Sequence, residues 1–179
     1  MAQERQETRE EEVARVRSYL ASQAMRRTPE QLVEVLREAQ QQFLTATGTV
    51  ADADFRTIPE EGAWSAADVL AHMCAIAAFD ERSLCGVIEC GEQPGNVADQ
   101  LEHVSASATR AQMLADITAY RERLIAVVLQ ADPQAHLDIV WGHSGFGDMN
   151  WREWLLFARV HTLDHTRQMQ AISAVLAST

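Results

Sequence analysis

The sequence predicts an all-α protein, and three observations support this prediction. Helix-forming residues dominate the 179-residue chain, which contains only 8 glycines and 4 prolines. Valine and isoleucine are scattered and do not form the alternating runs that are typical of strands. Apolar residues instead recur at three- and four-residue steps, which places them on one face of a helix. The length fits one main domain with a buried core.

Residues 1–27 are expected to form a helical extension outside the main domain, which we assign to residues 28–179. The extension is strongly charged, and its apolar residues form a weak amphipathic stripe at Val13, Val16, Leu20 and Ala24. This pattern predicts an extra N-terminal helix that packs either on the main domain or on a partner.

The first helix of the main domain is predicted to begin at Thr28. The threonine can cap a helix, Pro29 suits the first helical position, and Gln31 completes a capping box. Gly48 is expected to end the helix in a left-handed conformation. The predicted buried stripe consists of Leu32, Leu36, Ala39 and Phe43.

A second capping sequence, from Ser65 to Asp68, predicts the next helix. Residues 69–79 are apolar on nearly every side apart from His72, so this helix is expected to be central and buried. Residues 90–104 contain glycine and proline and predict a long connection.

Two further helices complete the predicted bundle. The third runs from Met113 and ends near Pro133. A glycine-rich loop follows over residues 141–147, and because it lacks the lysine and the glycine spacing of nucleotide-binding loops, we expect no nucleotide role. The last helix begins near Asn150, and its core-facing stripe is predicted to hold Trp154, Ala158, His161, His165, Met169 and Ile172.

Charge and hydropathy exclude several classes of function. The chain carries 15 basic and 26 acidic residues, and its net charge of −11 disfavours nucleic acids and anionic membrane surfaces as partners. The N-terminal sequence MAQERQETREEE has no apolar signal region, and no stretch approaches the ~20 apolar residues of a membrane span. We therefore expect a cytoplasmic protein. Cys74, Cys85 and Cys90 lack metal-site spacing and are predicted to be free thiols.

Three histidines on core-facing helix positions form a candidate metal site. His161 and His165 are four residues apart, so their Cβ atoms lie ~6 Å apart on one helix face, and the two imidazoles can chelate one ion. His72 could supply a third imidazole from a neighbouring helix, leaving the remaining coordination positions open. The alternative is that all three are core histidines with separate hydrogen-bond partners.

Several residues are candidates for the surroundings of this site. Asp68 and Gln168 could each hydrogen-bond a ligand histidine, although helix capping and an ordinary polar helix position also explain them. His143 could fold over the site from the glycine-rich loop or lie exposed to solvent. Candidate apolar walls are Trp64, Phe79 and Trp154.

The catalytic residues stay unassigned, because no side chain stands out as a general base. His161 is followed by Thr162, whereas the HExxH sequence of metallopeptidases requires glutamate at that position. Peptidase activity is therefore disfavoured.

Two segments resemble the DinB/YfiT-like superfamily. GAWSAADVLAHMCAIAAFDERSL resembles its Trp-Ser-x6-His helix, and VHTLDHTRQMQAI resembles its final His-x3-His-x2-Gln-Ile helix, with Met169 in place of isoleucine. The likeness covers roughly residues 28–177. It implies an up-down-down-up four-helix bundle, often a homodimer, in which His72, His161 and His165 ligate one divalent ion of zinc, nickel or iron.

Three functions remain open at this point. The first is a metal-dependent thiol transferase or hydrolase for a small electrophilic molecule, in which the ion lowers the pKa of a coordinated water or thiol. Some members of the resembling family use a low-molecular-weight thiol as a further cofactor. The second is a non-catalytic stress or self-protection protein that binds or sequesters a small molecule. The third is a structural protein with core histidines and an N-terminal helix that mediates dimerisation.

Overall fold

The computed structural model describes residues 8–95 and 107–178, and these residues are mainly helical. The helices are α1 (Arg9–Arg26), α2 (Pro29–Gly48), α3 (Ala66–Cys90), α4 (Arg110–Val128) and α5 (Trp151–Leu176). A 3-10 turn (Asp52–Asp54) precedes α3, and two short strands, β1 (Trp141–His143) and β2 (Gly147–Met149), precede α5. The all-α prediction is confirmed.

The predicted capping residues begin the bundle helices. The side chains of Thr28 and Ser65 accept hydrogen bonds from the third backbone N–H of α2 and α3, and Asn150 caps α5 in the same way. The expectation for Gly48 was wrong. Gly48 is the last residue of α2, and the helix is capped by Thr49 in a right-handed conformation, so no left-handed glycine is needed there.

Helices α2 to α5 form a four-helix bundle, in which α2 packs mainly against α5, and α3 packs against both α4 and α5. The central position predicted for α3 is confirmed, since most of its apolar residues between Ala66 and Ile88 are buried. One end of the core lies around Trp151 and Leu84, and the other lies around Leu70 and Met169.

Helix α1 packs on the bundle, as the first alternative for the N-terminal extension predicted, namely that its helix packs on the main domain. Leu20 and Ala24 are 0% and 3% exposed against the core. The buried guanidinium of Arg152, at the start of α5, donates from Nε to the Ala24 carbonyl at 2.9 Å and from Nη2 to the Arg27 carbonyl. These bonds satisfy carbonyls at the end of α1 that have no partner within the helix.

The segment predicted as a glycine-rich loop folds as a β-hairpin. Trp141 of β1 is paired with Met149 of β2, and Gly147 turns the chain with a φ of 70°. The carbonyl of Trp141 accepts a hydrogen bond from Nε1 of Trp154 at 3.2 Å, which joins the hairpin to α5. The strands are only three residues long, so hydrophobic periodicity gave no signal for them.

Helix α4 ends at Val128, earlier than the predicted end near Pro133. Gln130 and Ala131 continue with three-residue backbone hydrogen bonds, so the chain tightens beyond the helix. Most of the connection predicted over residues 90–104 lies outside the described residues.

Two further predictions concern the cysteines and the membrane. Cys74, Cys85 and Cys90 are free thiols, and Cys74 is buried in α3 as expected. Among the described helices, none combines the length and the apolar character needed to cross a membrane.

Candidate metal centre

Helices α3 and α5 bring the three candidate histidines together. His72 lies on the second turn of α3, and His161 and His165 lie on successive turns of α5. Because α3 and α5 pack against each other, the imidazole of His72 meets the other two from across the helix interface. All three rings are partly buried, and one ligand atom from each lies within 4.8 Å of the others.

The distances between these nitrogens fit a single ion. Nε2 of His161 lies 3.4 Å from Nε2 of His72 and 2.9 Å from Nε2 of His165. An ion bound at ~2.0–2.1 Å separates two ligand nitrogens by about 2.9 Å at a right angle and about 3.4 Å at a tetrahedral angle. The two separations from His161 therefore match those expected for nitrogens bound to one divalent ion.

The hydrogen bonding of His165 leaves the lone pair on the nitrogen that approaches His161. Nδ1 of His165 lies 2.8 Å from Oε1 of Gln168, one turn further along α5. The amide oxygen can only accept, so Nδ1 carries the proton and Nε2 of the neutral ring keeps a free lone pair. Metal-binding histidines are commonly oriented by such a bond.

Burial favours the neutral form of the three rings. Burial, followed by the charge of His165, lowers the pKa of His72 to about 4. Burial, followed by the charges of His165 and His72, lowers the pKa of His161 to about 3. Burial also lowers the pKa of His165, against the opposing effect of the Gln168 hydrogen bond. Neutral imidazole is the form that binds metal.

The contacts among the rings do not match the alternative of separately satisfied core histidines. Nε2 of His161 lies within 3.4 Å of Nε2 of both His72 and His165, and His161 can donate at most one Nε2–H to these two nitrogens. An ion accepts all three lone pairs together. The donor set and its geometry therefore fit a metal centre.

Aromatic rings enclose the histidines on two sides. The Trp64 ring contacts His72 edge-on at 5.3 Å between centroids and is stacked at 6.2 Å on His165. Trp64 is 44% exposed, so it covers the centre from the solvent side. The Phe157 ring stacks on His161 at 5.7 Å. The sequence analysis missed Phe157, although its position four residues before His161 predicts this contact.

The other two proposed wall residues lie deeper in the core. Phe79 and Trp154 are 2% and 3% exposed, and their ring centroids are 6.4 Å apart. Trp154 contacts Phe157 at 5.6 Å, and Phe157 in turn contacts His161. Phe79 and Trp154 thus support the aromatic layer behind the centre.

His143 lies beside this aromatic layer, near but outside the cluster of three histidines. Its half-buried ring contacts Phe157 at 4.7 Å and Trp154 at 5.8 Å. Nδ1 of His143 accepts a hydrogen bond from the Gly145 N–H at 3.0 Å, which leaves the proton of the neutral ring on Nε2. Burial lowers the pKa of His143.

Asp68 has the role that its capping position predicts. Its exposed carboxylate accepts hydrogen bonds from the backbone N–H of Ser65 at 2.9 Å and from the Ser65 hydroxyl at 2.6 Å. These bonds hold the first turn of α3, and His72 lies on the turn that follows. Asp68 therefore affects the position of His72 only indirectly, because it stabilises the N-terminus of the helix that carries His72.

A buried ion pair near the centre was not predicted from the sequence. Nη1 of Arg121 donates to Oδ2 of Asp80 at 2.8 Å, and the two side chains are 3% and 6% exposed. The charge of Arg121 is one of the lesser contributions to the lowered pKa of His161. The sequence feature that could have indicated this pair is Asp80, an acidic residue within the largely apolar helix α3.

A groove of about 570 Å³ opens beside His165. One wall is the loop before α3, including Pro59, Glu60 and Trp64, and the other is the second half of α5, including Gln168. Its volume is typical of a small-molecule site. The groove therefore reaches the candidate ligand His165 and Gln168, which is hydrogen-bonded to it.

Comparisons with known proteins agree with this fold. A family model for the DinB superfamily matches residues 35–169. The solved structure of TT2238, described as a four-helix bundle protein, is similar with a TM-score of 0.61 and 22% sequence identity. The similarity covers 80% of this chain and 99% of that chain, and at this identity it bears on the fold alone. A search of the curated proteins found no match.

Proposed function

The chain belongs to the DinB superfamily, and from that premise we propose that it is a metal-dependent enzyme acting on a small electrophilic molecule. The reaction class is a thiol transfer or a hydrolysis. The observation that supports this proposal is the close approach of three imidazoles from α3 and α5, whose ligand atoms lie within 4.8 Å of one another.

His72, His161 and His165 would hold the ion, and Gln168 would orient His165. A bound divalent ion supplies Lewis-acid chemistry and lowers the pKa of an attacking water or thiol. Three imidazoles accept zinc, nickel or iron, and we propose one such ion per chain.

The residues around the ligands would bind the substrate and limit access of water. Trp64 covers His72 and His165, and the groove beside it is open to a small molecule. Phe157 closes the opposite side by stacking on His161. Substrate would therefore approach from the Trp64 side of the centre.

The proposal extends to the cellular setting and the partners. The net charge of −11 supports a protein without nucleic-acid or membrane-surface partners. We place it in the cytoplasm as a homodimer, with a low-molecular-weight thiol as a second cofactor if the reaction is a thiol transfer.

A second candidate function is non-catalytic binding that sequesters a reactive small molecule. The observation in its favour is that Gln168, which cannot act as a general base, is the residue hydrogen-bonded to a ligand. Binding without turnover would then be the function of the groove, in a stress or self-protection role.

An activity assay separates the two functions. Zinc-, nickel- and iron-loaded protein is incubated with a thiol and monobromobimane, and product formation is compared with that of chelator-treated protein and His72→Ala. The enzyme proposal expects turnover that requires metal and His72. Stoichiometric binding with no metal-dependent turnover, for thiol and for water as nucleophile, would favour sequestration.

A further inference from the structure

The groove beside His165 has a chemical character that restricts what it can bind. Its walls are mainly apolar, and its apolar lining residues include Trp64, Ile172 and Val175. Ile172 is buried, while Val175 is 36% exposed and Trp64 is 44% exposed. Apolar walls of this kind stabilise a ligand by removing its hydrocarbon surface from water.

Charge in the groove is acidic. Glu60 is exposed at the loop wall and is the one carboxylate among the described groove residues, none of which is lysine or arginine. Arg167 lies next to Gln168 on α5, but it is paired with Asp164 and lies outside the groove. The groove therefore favours a positive charge at the end where Glu60 lies.

Trp64 adds a second feature that favours cations. Its indole is partly exposed in the groove, and a cation held over an indole face is attracted by the ring quadrupole. An acidic side chain and an exposed indole in one small apolar site form a typical binding site for an amine.

We propose that the groove binds a small molecule with an apolar body and a cationic amine. The amine lies near Glu60, the body lies against Trp64 and Ile172, and the opposite end points toward His165. This inference rests on the proposed function, because it names the substrate class of the same site. The carboxylate of Glu60 also disfavours anionic molecules of the same shape.

The test uses three probes of similar shape and different charge: naphthylmethylamine, naphthalenemethanol and naphthoate. Binding to the full chain is measured by calorimetry, before and after treatment with a chelator, so that coordination to a metal is separated from binding in the groove. We expect the amine to bind about threefold more tightly than the alcohol, because an ion pair with the exposed Glu60 carboxylate contributes only weakly. Naphthoate should bind most weakly of the three.

Variants assign the effect to the named residues. Glu60→Gln should remove the preference for the amine over the alcohol. Glu61→Gln makes the same charge change next to Glu60 but outside the groove, and it should leave the preference intact. Trp64→Ala should weaken binding of both the amine and the alcohol.

Two binding results on chelator-treated protein overturn the inference: naphthoate binds most tightly, or the amine and the alcohol bind equally. It is also overturned if no probe binds, or if Glu61→Gln removes the preference for the amine as Glu60→Gln does. Metal content, measured on the same samples, reports separately on the proposed function. Protein without metal that still prefers the amine would contradict the enzyme proposal and leave the groove assignment standing.

Discussion

Gln168 holds His165 in a ligand orientation: its Oε1 lies 2.8 Å from Nδ1 of His165, one helical turn away. This bond fixes which nitrogen of His165 carries the proton, and it leaves Nε2 directed at Nε2 of His161, 2.9 Å away. The geometry of the proposed centre therefore depends on a residue outside the three candidate ligands.

Gln168→Leu should weaken metal binding without removing the ligands. Loss of such a bond to a metal-binding histidine typically costs about 10- to 100-fold in affinity. Dissociation constants for zinc are measured by competition with a chromophoric chelator. Gln170→Leu, at an exposed position on the same helix, is the control and should leave the affinity unchanged. Equal affinities for Gln168→Leu and wild type would show that the bond does not orient His165.

Asp80→Ala should destabilise the fold strongly, because it leaves the buried guanidinium of Arg121 without its counter-ion. Breaking one side of a buried ion pair costs about 3–5 kcal/mol. The free energy of unfolding is measured in urea. Glu81→Ala removes the partner of Arg123 in a more exposed pair, and it should cost less than about 1 kcal/mol. Similar losses for the two variants would be inconsistent with the burial of the Asp80–Arg121 pair.

The metal-free protein should lose stability as the pH falls below about 6.5. Burial lowers the pKa of His72 to about 4 and that of His161 to about 3, so the unfolded chain binds more protons than the folded chain in the range between these values and the ordinary histidine pKa. The two neutral histidines therefore contribute their full stabilisation above about pH 6.5. This contribution is lost as the pH falls from about 6.5 toward the lowered pKa values of the folded chain. Urea unfolding at several pH values measures the effect. His161→Gln should reduce the slope, and an unchanged slope would contradict the assigned cause.

The three cysteines should differ in reactivity toward iodoacetamide at pH 8. Burial, with a contribution from Asp116, raises the pKa of Cys74 to about 11. Burial, followed by the charges of Glu81 and Glu89, raises that of Cys85 to about 12. Both should react slowly because the thiolate is the reactive form, whereas the exposed Cys90 should react first. Peptide mass spectrometry after short labelling identifies the site, and modification of Cys74 before Cys90 would contradict the packing of α3.

The sequence was most informative where local signals agree with the final packing. Thr28, Ser65 and Asn150 mark helix starts by capping, which depends on residues three positions away. His72 could be singled out because it is the polar position in an apolar helix. Its approach to His161 was only a hypothesis, since contacts between helices depend on how the whole bundle packs.

Other features depend on contacts between distant parts of the chain and had little or no local signal. The pair of Asp80 and Arg121 joins positions 41 residues apart, and the groove exists only because the loop with Glu60 lies against the end of α5. The hairpin of Trp141 and Met149 has strands too short for a periodic pattern. Tertiary packing determines these features, and no local sequence pattern predicts them.

Metal content tests the central claim most directly. Elemental mass spectrometry is carried out on protein purified without an affinity tag, on His165→Ala, and on His136→Asn as a histidine control outside the cluster. The account predicts about one equivalent of zinc, nickel or iron per chain in wild type and His136→Asn, and its loss in His165→Ala. Wild-type protein that contains no metal, and takes up none when zinc or nickel is added, would contradict the three-histidine centre.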